Sequence, residues 1–201
     1  MRLRTAGAIV LAPLVAVLAG MAVSGTAGTP AAAPRPAPGF DQVLHDQLLE
    51  MQDRDRDRRA GGFDPEGDDE RTERLAEIIS RYGWPTFSLV GKDGAAAVST
   101  IVQHSTYDTP FQEKALLLMS EAAAQGQAAP ADVAALTDRI AVSRNRPQSY
   151  GTELLCTTAQ PRPATPIGEP AGLDARRKAA GLVPMADYVA ETAEVCDRLN
   201  G

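Results

Sequence analysis

Apolar residues recur at intervals of three and four through most of the chain, and a glycine or a proline closes nearly every such stretch. That period lays one apolar stripe along a helix, whereas a strand would alternate apolar and polar residues. The chain is therefore expected to be mainly α: a single helical domain of six to seven helices over residues 40–201. At roughly 160 residues that is the size of one domain around one core.

The stripes can be followed in order. The first helix is expected over residues 41–59, with Leu44, Leu48 and Met51 on one face. Continuing the same spacing brings up Asp55 and then Arg59, two charged groups where the apolar face should go on. Within the run from Arg54 to Arg59, a solvated helix end with an i, i+4 pair competes with a functional reading.

Gly61-Gly62 and Asp64-Pro65-Glu66-Gly67 read as a flexible acidic connection, and Leu75, Ile78, Ile79 and Tyr82 as a second helix stopped by Gly83 and Trp84-Pro85. Asp93 is a candidate cap for a third helix, with Ala97, Val98, Ile101 and Val102 inward and Gln103 and His104 in the last turn. Asp108 or Thr109 caps a fourth, with Pro110 at its start and Phe111, Ala115, Leu118 and Met119 on its buried face. A fifth begins near Pro130 and carries Val133, Leu136, Thr137 and Ile140, then Asp138 and Arg139, until Arg146-Pro147. Extended residues and turn formers predict a short β-hairpin near residues 148–168. Two helices, over 173–180 and 184–199, finish the chain.

Ahead of the first stripe, a basic start (Met-Arg-Leu-Arg), an apolar run from Ala6 to Val23 and the small residues Gly25-Thr26-Ala27 form the three parts of a secretory signal peptide, residues 1–27. The alternative is an N-terminal membrane anchor. Pro13, the many Ala and Gly residues and the absence of a basic cluster after Val23 favour cleavage, leaving no stable membrane span. Residues 28–39, rich in Ala and Pro, read as a flexible linker. The expected location is secreted or extracytoplasmic.

Export gives meaning to the two cysteines, Cys156 and Cys196. An exported pair with no third thiol is most simply one disulfide, which in the chain-entropy model contributes roughly 4 kcal/mol for a loop of this length. Losing Arg2 and Arg4 with the leader takes the formal net charge from −6 to −8. An acidic chain without a basic stripe is a poor nucleic-acid binder. A small molecule, a peptide or a protein is the expected partner.

No GxSxG elbow, HExxH, P-loop or dinucleotide fingerprint is present, and His45 and His104 are the two histidines. No metal and no cofactor is expected from these patterns. The stretch from Gln103 to Asp108 puts an amide, an imidazole and a carboxylate at one helix end, with His104 on or beside the apolar stripe. A histidine satisfied by a backbone carbonyl is the competing structural reading. Tyr150-Gly151-Thr152-Glu153 is a second polar cluster, read structurally as strand entry with a bulge.

Leu48-Leu49-x-Met51-x3-Asp55-x3-Arg59, Tyr82-Gly83-Trp84-Pro85, Val102-Gln103-His104, Asp138-Arg139, Gln148-x-Tyr150-Gly151-Thr152 and Asp174-Ala175-Arg176-Arg177-x3-Gly181-Leu182 together resemble a bacterial family known as domain of unknown function 6624. The resemblance spans nearly all of the folded part and implies no assigned activity. Arg56 and Glu153 stand where the family usually has Gln, and the cysteines and the leader look like additions.

Two functions follow as expectations. One is a ligand- or protein-binding domain with a polar cleft, in which Arg59, Arg176 or Arg177 grips a carboxylate, Gln103, Gln148, Thr152 and Glu153 line the site, and Trp84 and Tyr150 give aromatic surface. The other is a small extracytoplasmic hydrolase-like enzyme with His104 as general base, oriented or charge-tuned by Asp55 or Asp108.

Overall fold

The computed structural model describes residues 39–61, 65–156 and 160–200. The leader expected over 1–27 and, apart from Gly39, the linker expected over 28–39 lie outside the described residues. So do 62–64, in the connection expected after the first helix.

Seven helices are present among the described residues: α1 (Gln42–Gly61), α2 (Pro65–Tyr82), α3 (Phe87–His104), α4 (Thr109–Ala124), α5 (Pro130–Ser143), α6 (Leu173–Ala179) and α7 (Met185–Asn200). Between α5 and α6 a short antiparallel hairpin joins β1 (Leu154–Leu155) to β2 (Arg162–Pro163), with Leu154 opposite Pro163. The fold is mainly α, as the stripes imply.

Helix α3 is the centre of the packing, touching α1, α2, α4 and α5. Its Ala97, Val98, Ile101 and Val102 are buried with Leu44, Leu48 and Met51 of α1, Leu75, Ile78 and Ile79 of α2, and Met119 of α4. Each large aliphatic side chain buried there contributes about 1.5–3 kcal/mol relative to exposure. Alanines on the α3 face and Gly94 let α1 come close. A Cβ on Gly94 would meet the Val90 Cβ at 3.0 Å and the His45 ring at 3.3 Å.

Three expectations are corrected. Helix α2 begins at Pro65, so Pro65–Gly67, expected in the flexible connection, is its first turn and not part of a loop. Helical backbone starts at Phe87 and is interrupted at Gly91 (φ 73°, ψ 173°), so Asp93 follows a kink instead of opening the helix. Trp84, expected as aromatic surface, is 5% exposed and belongs to the core. Asp108 caps α4 as anticipated, its side chain accepting from the Phe111 amide at 2.9 Å.

Cys156, just after β1, and Cys196 of α7 stand at disulfide-bonding distance, with Cα atoms 5.2 Å apart. Among the described residues no helix is long and apolar enough to cross a membrane.

Candidate functional site

The stripe of α1 carries Asp55 into the interior, where it is 2% exposed. An isolated carboxylate there would cost several kcal/mol, so it needs partners. Its Oδ2 lies 2.7 Å from His104 Nδ1 at the end of α3. Arg59, one turn further along α1, places Nε 3.1 and 3.2 Å from the two Asp55 oxygens. Arg71 of α2 adds an Nη2 at 3.4 Å from Oδ1.

A second buried carboxylate, Asp68 of α2, completes the cluster. Arg59 Nη2 donates to it at 2.9 and 3.0 Å, and Arg71 also donates to it. Two carboxylates and two guanidiniums thus form a formally neutral quartet, which offsets much of the desolvation of each member. Thr72 reinforces the junction, its hydroxyl lying 2.8 Å from the Asp68 carbonyl oxygen and 2.7 Å from the Ser105 hydroxyl just past α3. Gln112 of α4, 1% exposed, donates to the carbonyls of Val102 and Gln103 and holds that helix end.

The protonation of His104 follows from the contacts of one atom. Nδ1 is close both to Asp55 Oδ2 and, at 2.9 Å, to Arg59 Nε. The Arg59 Nε–H is directed at Nδ1 as well as at both Asp55 oxygens; with the proton on Nδ1, the ring N–H donates to the carboxylate and the Arg59 Nε–H is left to that carboxylate alone. Without that proton, two acceptors would face each other at 2.7 Å. The first arrangement is favoured and leaves Nε2 with a lone pair. Burial holds the His104 pKa below its ordinary value, against the opposing pull of Asp55 and with the help of Arg59 and Arg139.

His104 keeps 29% of its side chain exposed, at a pocket of about 220 Å³ shared with Gln52, Asp55, Arg56, Arg59 and Thr100. Since Nδ1 turns inward to Asp55, Nε2 is the ring nitrogen on the open side. A neutral imidazole, oriented by a buried carboxylate and reachable from solvent, can take or give a proton.

The other polar residues expected at a site are arranged differently. Asp138 of α5, 0% exposed, accepts from the backbone amides of Ser149, Tyr150 and Thr152 and from the Thr152 hydroxyl, at 2.7–3.1 Å. Gln148 is bound to the Glu153 and Thr165 carbonyls and to the Glu153 amide. Arg177, 1% exposed, donates to the carbonyls of Tyr150 and Val183 and lies over the Tyr188 ring. Arg176 donates to those of Ser149, Gly168 and Glu169. Gln148, Thr152, Arg176 and Arg177 therefore secure the chain around residues 148–153 and do not line the His104 pocket. Gly151 takes φ 69° at the centre of this turn, and a Cβ there would meet Ile167 and Met185 at 3.0 Å.

Tyr150 and Arg176 border a separate hollow of about 270 Å³ with Ser120 and Val133. Glu153 pairs with Arg139 at 3.0 Å, and burial pushes its pKa up. Arg139 Nε is buried without a partner among the described residues. Gln103 is half-buried beside His104, its carbonyl held by Gln112.

The model of a family of unknown function (DUF6624) matches residues 41–196. The chain belongs to that family. No curated protein and no solved structure matches it. The family match covers both polar centres. Among the described residues no group of three or more His, Cys, Asp or Glu side chains is placed to hold a metal ion.

Asp68, Arg71 and Thr72 were missed in the sequence, yet they carried a signal. They precede Leu75 by seven, four and three positions, on the very stripe that defines α2. Following that stripe back towards the amino terminus exposes the same anomaly as in α1: charged residues on a core face.

Proposed function

We propose that this protein is an exported acid–base enzyme, with hydrolysis as its reaction class and His104 Nε2 as the general base. Asp55 is its positioning residue, fixing the ring and its tautomer. A water held between Nε2 and a substrate carbonyl or phosphoryl centre gives its proton to Nε2 as its oxygen attacks, and the imidazolium returns that proton to the leaving group. The observation carrying this reading is the 2.7 Å bond from a buried Asp55 to a histidine that still opens on a pocket. The binding reading has less support, because Trp84, Arg176 and Arg177 are engaged inside the fold. Export rests on the leader-like start, and the Cys156 and Cys196 pair is compatible with an extracytoplasmic location.

Chromogenic esters, amides and phosphate esters test the reaction class. His104→Ala should lower any turnover by about 10²–10⁴-fold. Asp55→Asn should lower it less and move the acidic limb of the pH profile, which a purely structural role would not do. Carbethoxylation by diethyl pyrocarbonate checks the base directly: His104 should react at pH 6 faster than His45, whose pKa is raised by Asp46 and Asp93. Equal or slower labelling of His104 sinks the assignment.

A further inference from the structure

The groups lining the His104 pocket are unequal in kind. Asp55 is turned inward, both oxygens engaged by His104, Arg59 and Arg71. Arg59 uses Nε and Nη2 on the quartet, while its Nη1 forms no hydrogen bond among the described residues. Arg56 stands at the rim with 68% of its side chain exposed and a single long contact, 3.4 Å, to Asp53. The Thr100 hydroxyl donates to the Ala96 carbonyl and accepts one amide hydrogen of Gln52, which leaves Gln52 a second N–H. The open side of the pocket thus presents two guanidiniums, an amide donor and one base, His104 Nε2. From α5, Arg139 adds positive charge felt at the imidazole.

We propose that this pocket selects substrates carrying a small oxyanion, a carboxylate or a phosphate group, which Arg56 and the outer edge of Arg59 hold beside His104 Nε2. The inference rests on the proposed role of His104 and adds the substrate class. Guanidinium forks match either oxyanion in two parallel hydrogen bonds, and a volume of about 220 Å³ admits such a group with a few attached atoms. The anion also has an effect at the base. Arg59 and Arg139 disfavour the imidazolium, and an anion set among them offsets that field and makes Nε2 a better proton acceptor.

The test is an NMR titration of the imidazole nitrogens in the full chain at constant ionic strength, with inorganic phosphate, acetate or chloride as the added anion. Two histidines make His45 the internal control. Phosphate, acetate or both should raise the His104 pKa saturably by about 0.5–1 unit and leave His45 unmoved. A response to phosphate alone assigns phosphate esters, to acetate alone a carboxylate substrate, and to both the shared oxyanion. Arg56→Gln, at an exposed position outside the quartet, should weaken the response about tenfold while the His104 pKa without anion stays within a few tenths. No response at tens of millimolar, an equal shift of His45, or an unchanged response in Arg56→Gln overturns the inference. In those cases a His104 that still outpaces His45 in carbethoxylation leaves the proposed general base standing. A His104 that neither titrates nor reacts removes both.

Discussion

The Asp55 and Asp138 centres contain similar parts, a carboxylate sealed from solvent with arginines close by, and use them differently. Asp138 is saturated by backbone amides and the Thr152 hydroxyl, and Arg177 by backbone carbonyls. Asp55 is held by side chains, one of them a histidine that reaches a pocket. Backbone partners fix a chain path, so the first centre is a structural knot. Side-chain partners from α1, α2 and α3 leave one imidazole edge uncommitted, which is what a reactive site requires.

The largest effect expected is on the structural side. Asp138→Ala strips the acceptor from three amides and a hydroxyl in a buried turn, and should cost about 3–5 kcal/mol in chemical denaturation. A loss below about 1 kcal/mol would break the distinction between the two centres. Next comes the cysteine pair. Replacing Cys156 and Cys196 by serine should lower stability by about 2–4 kcal/mol. The loosening should show first in hydrogen exchange of α7 and of the amides around residue 152, because the Tyr188 hydroxyl donates to the Thr152 carbonyl. Uniform loosening, the α1 to α3 packing included, would merge the two regions into one cooperative unit.

Asp55→Asn should cost about 2 kcal/mol, less than Asp138→Ala, because the amide keeps one oxygen for Arg59 and Asp68 still neutralises part of the cationic pair. The more telling result is chemical. The same variant should slow carbethoxylation of His104 by changing its tautomer, whereas Asp138→Asn should leave that rate alone.

The legible part of this molecule was the part with a period. Five apolar stripes gave α1 to α5, and the one core position in α1 occupied by a charge, Asp55, led to the site. Where a stripe was taken up only at its first apolar residue, as in α2 at Leu75, the buried Asp68, Arg71 and Thr72 went unseen. The turn at 148–153 was legible as polar, with strand entry as its structural reading, but the partners that tie it down were not. Whether a glutamine or an arginine faces a ligand or a carbonyl depends on backbone groups brought in from residues 165–183, and no side-chain pattern records those. Trp84, expected as aromatic surface, is likewise decided by packing from elsewhere in the chain, which folds it inward.

The smallest expected effect sharpens the comparison by its sign. Burial lowers the folded-state pKa of His104 below the ordinary 6.5, so between that value and the depressed one the unfolded chain binds the proton that the folded chain refuses. His104 therefore has no proton-linked cost above about pH 7 and destabilises the fold increasingly as pH falls through 6.5. His45 is the reverse. Its hydrogen bonds to Asp46 and then Asp93 raise its folded pKa, so its contribution is full below 6.5 and disappears as pH rises through the raised value. His104→Gln should accordingly be within about 1 kcal/mol of the parent at pH 8 and gain on it towards pH 5, while His45→Gln should fall behind the parent over the same descent. Denaturation midpoints measured from pH 5 to 8 would decide it. Parallel curves for the two variants would mean that the fold does not hold His104 neutral, and the Asp55 centre would lose the unprotonated base that sets it apart from the Asp138 centre.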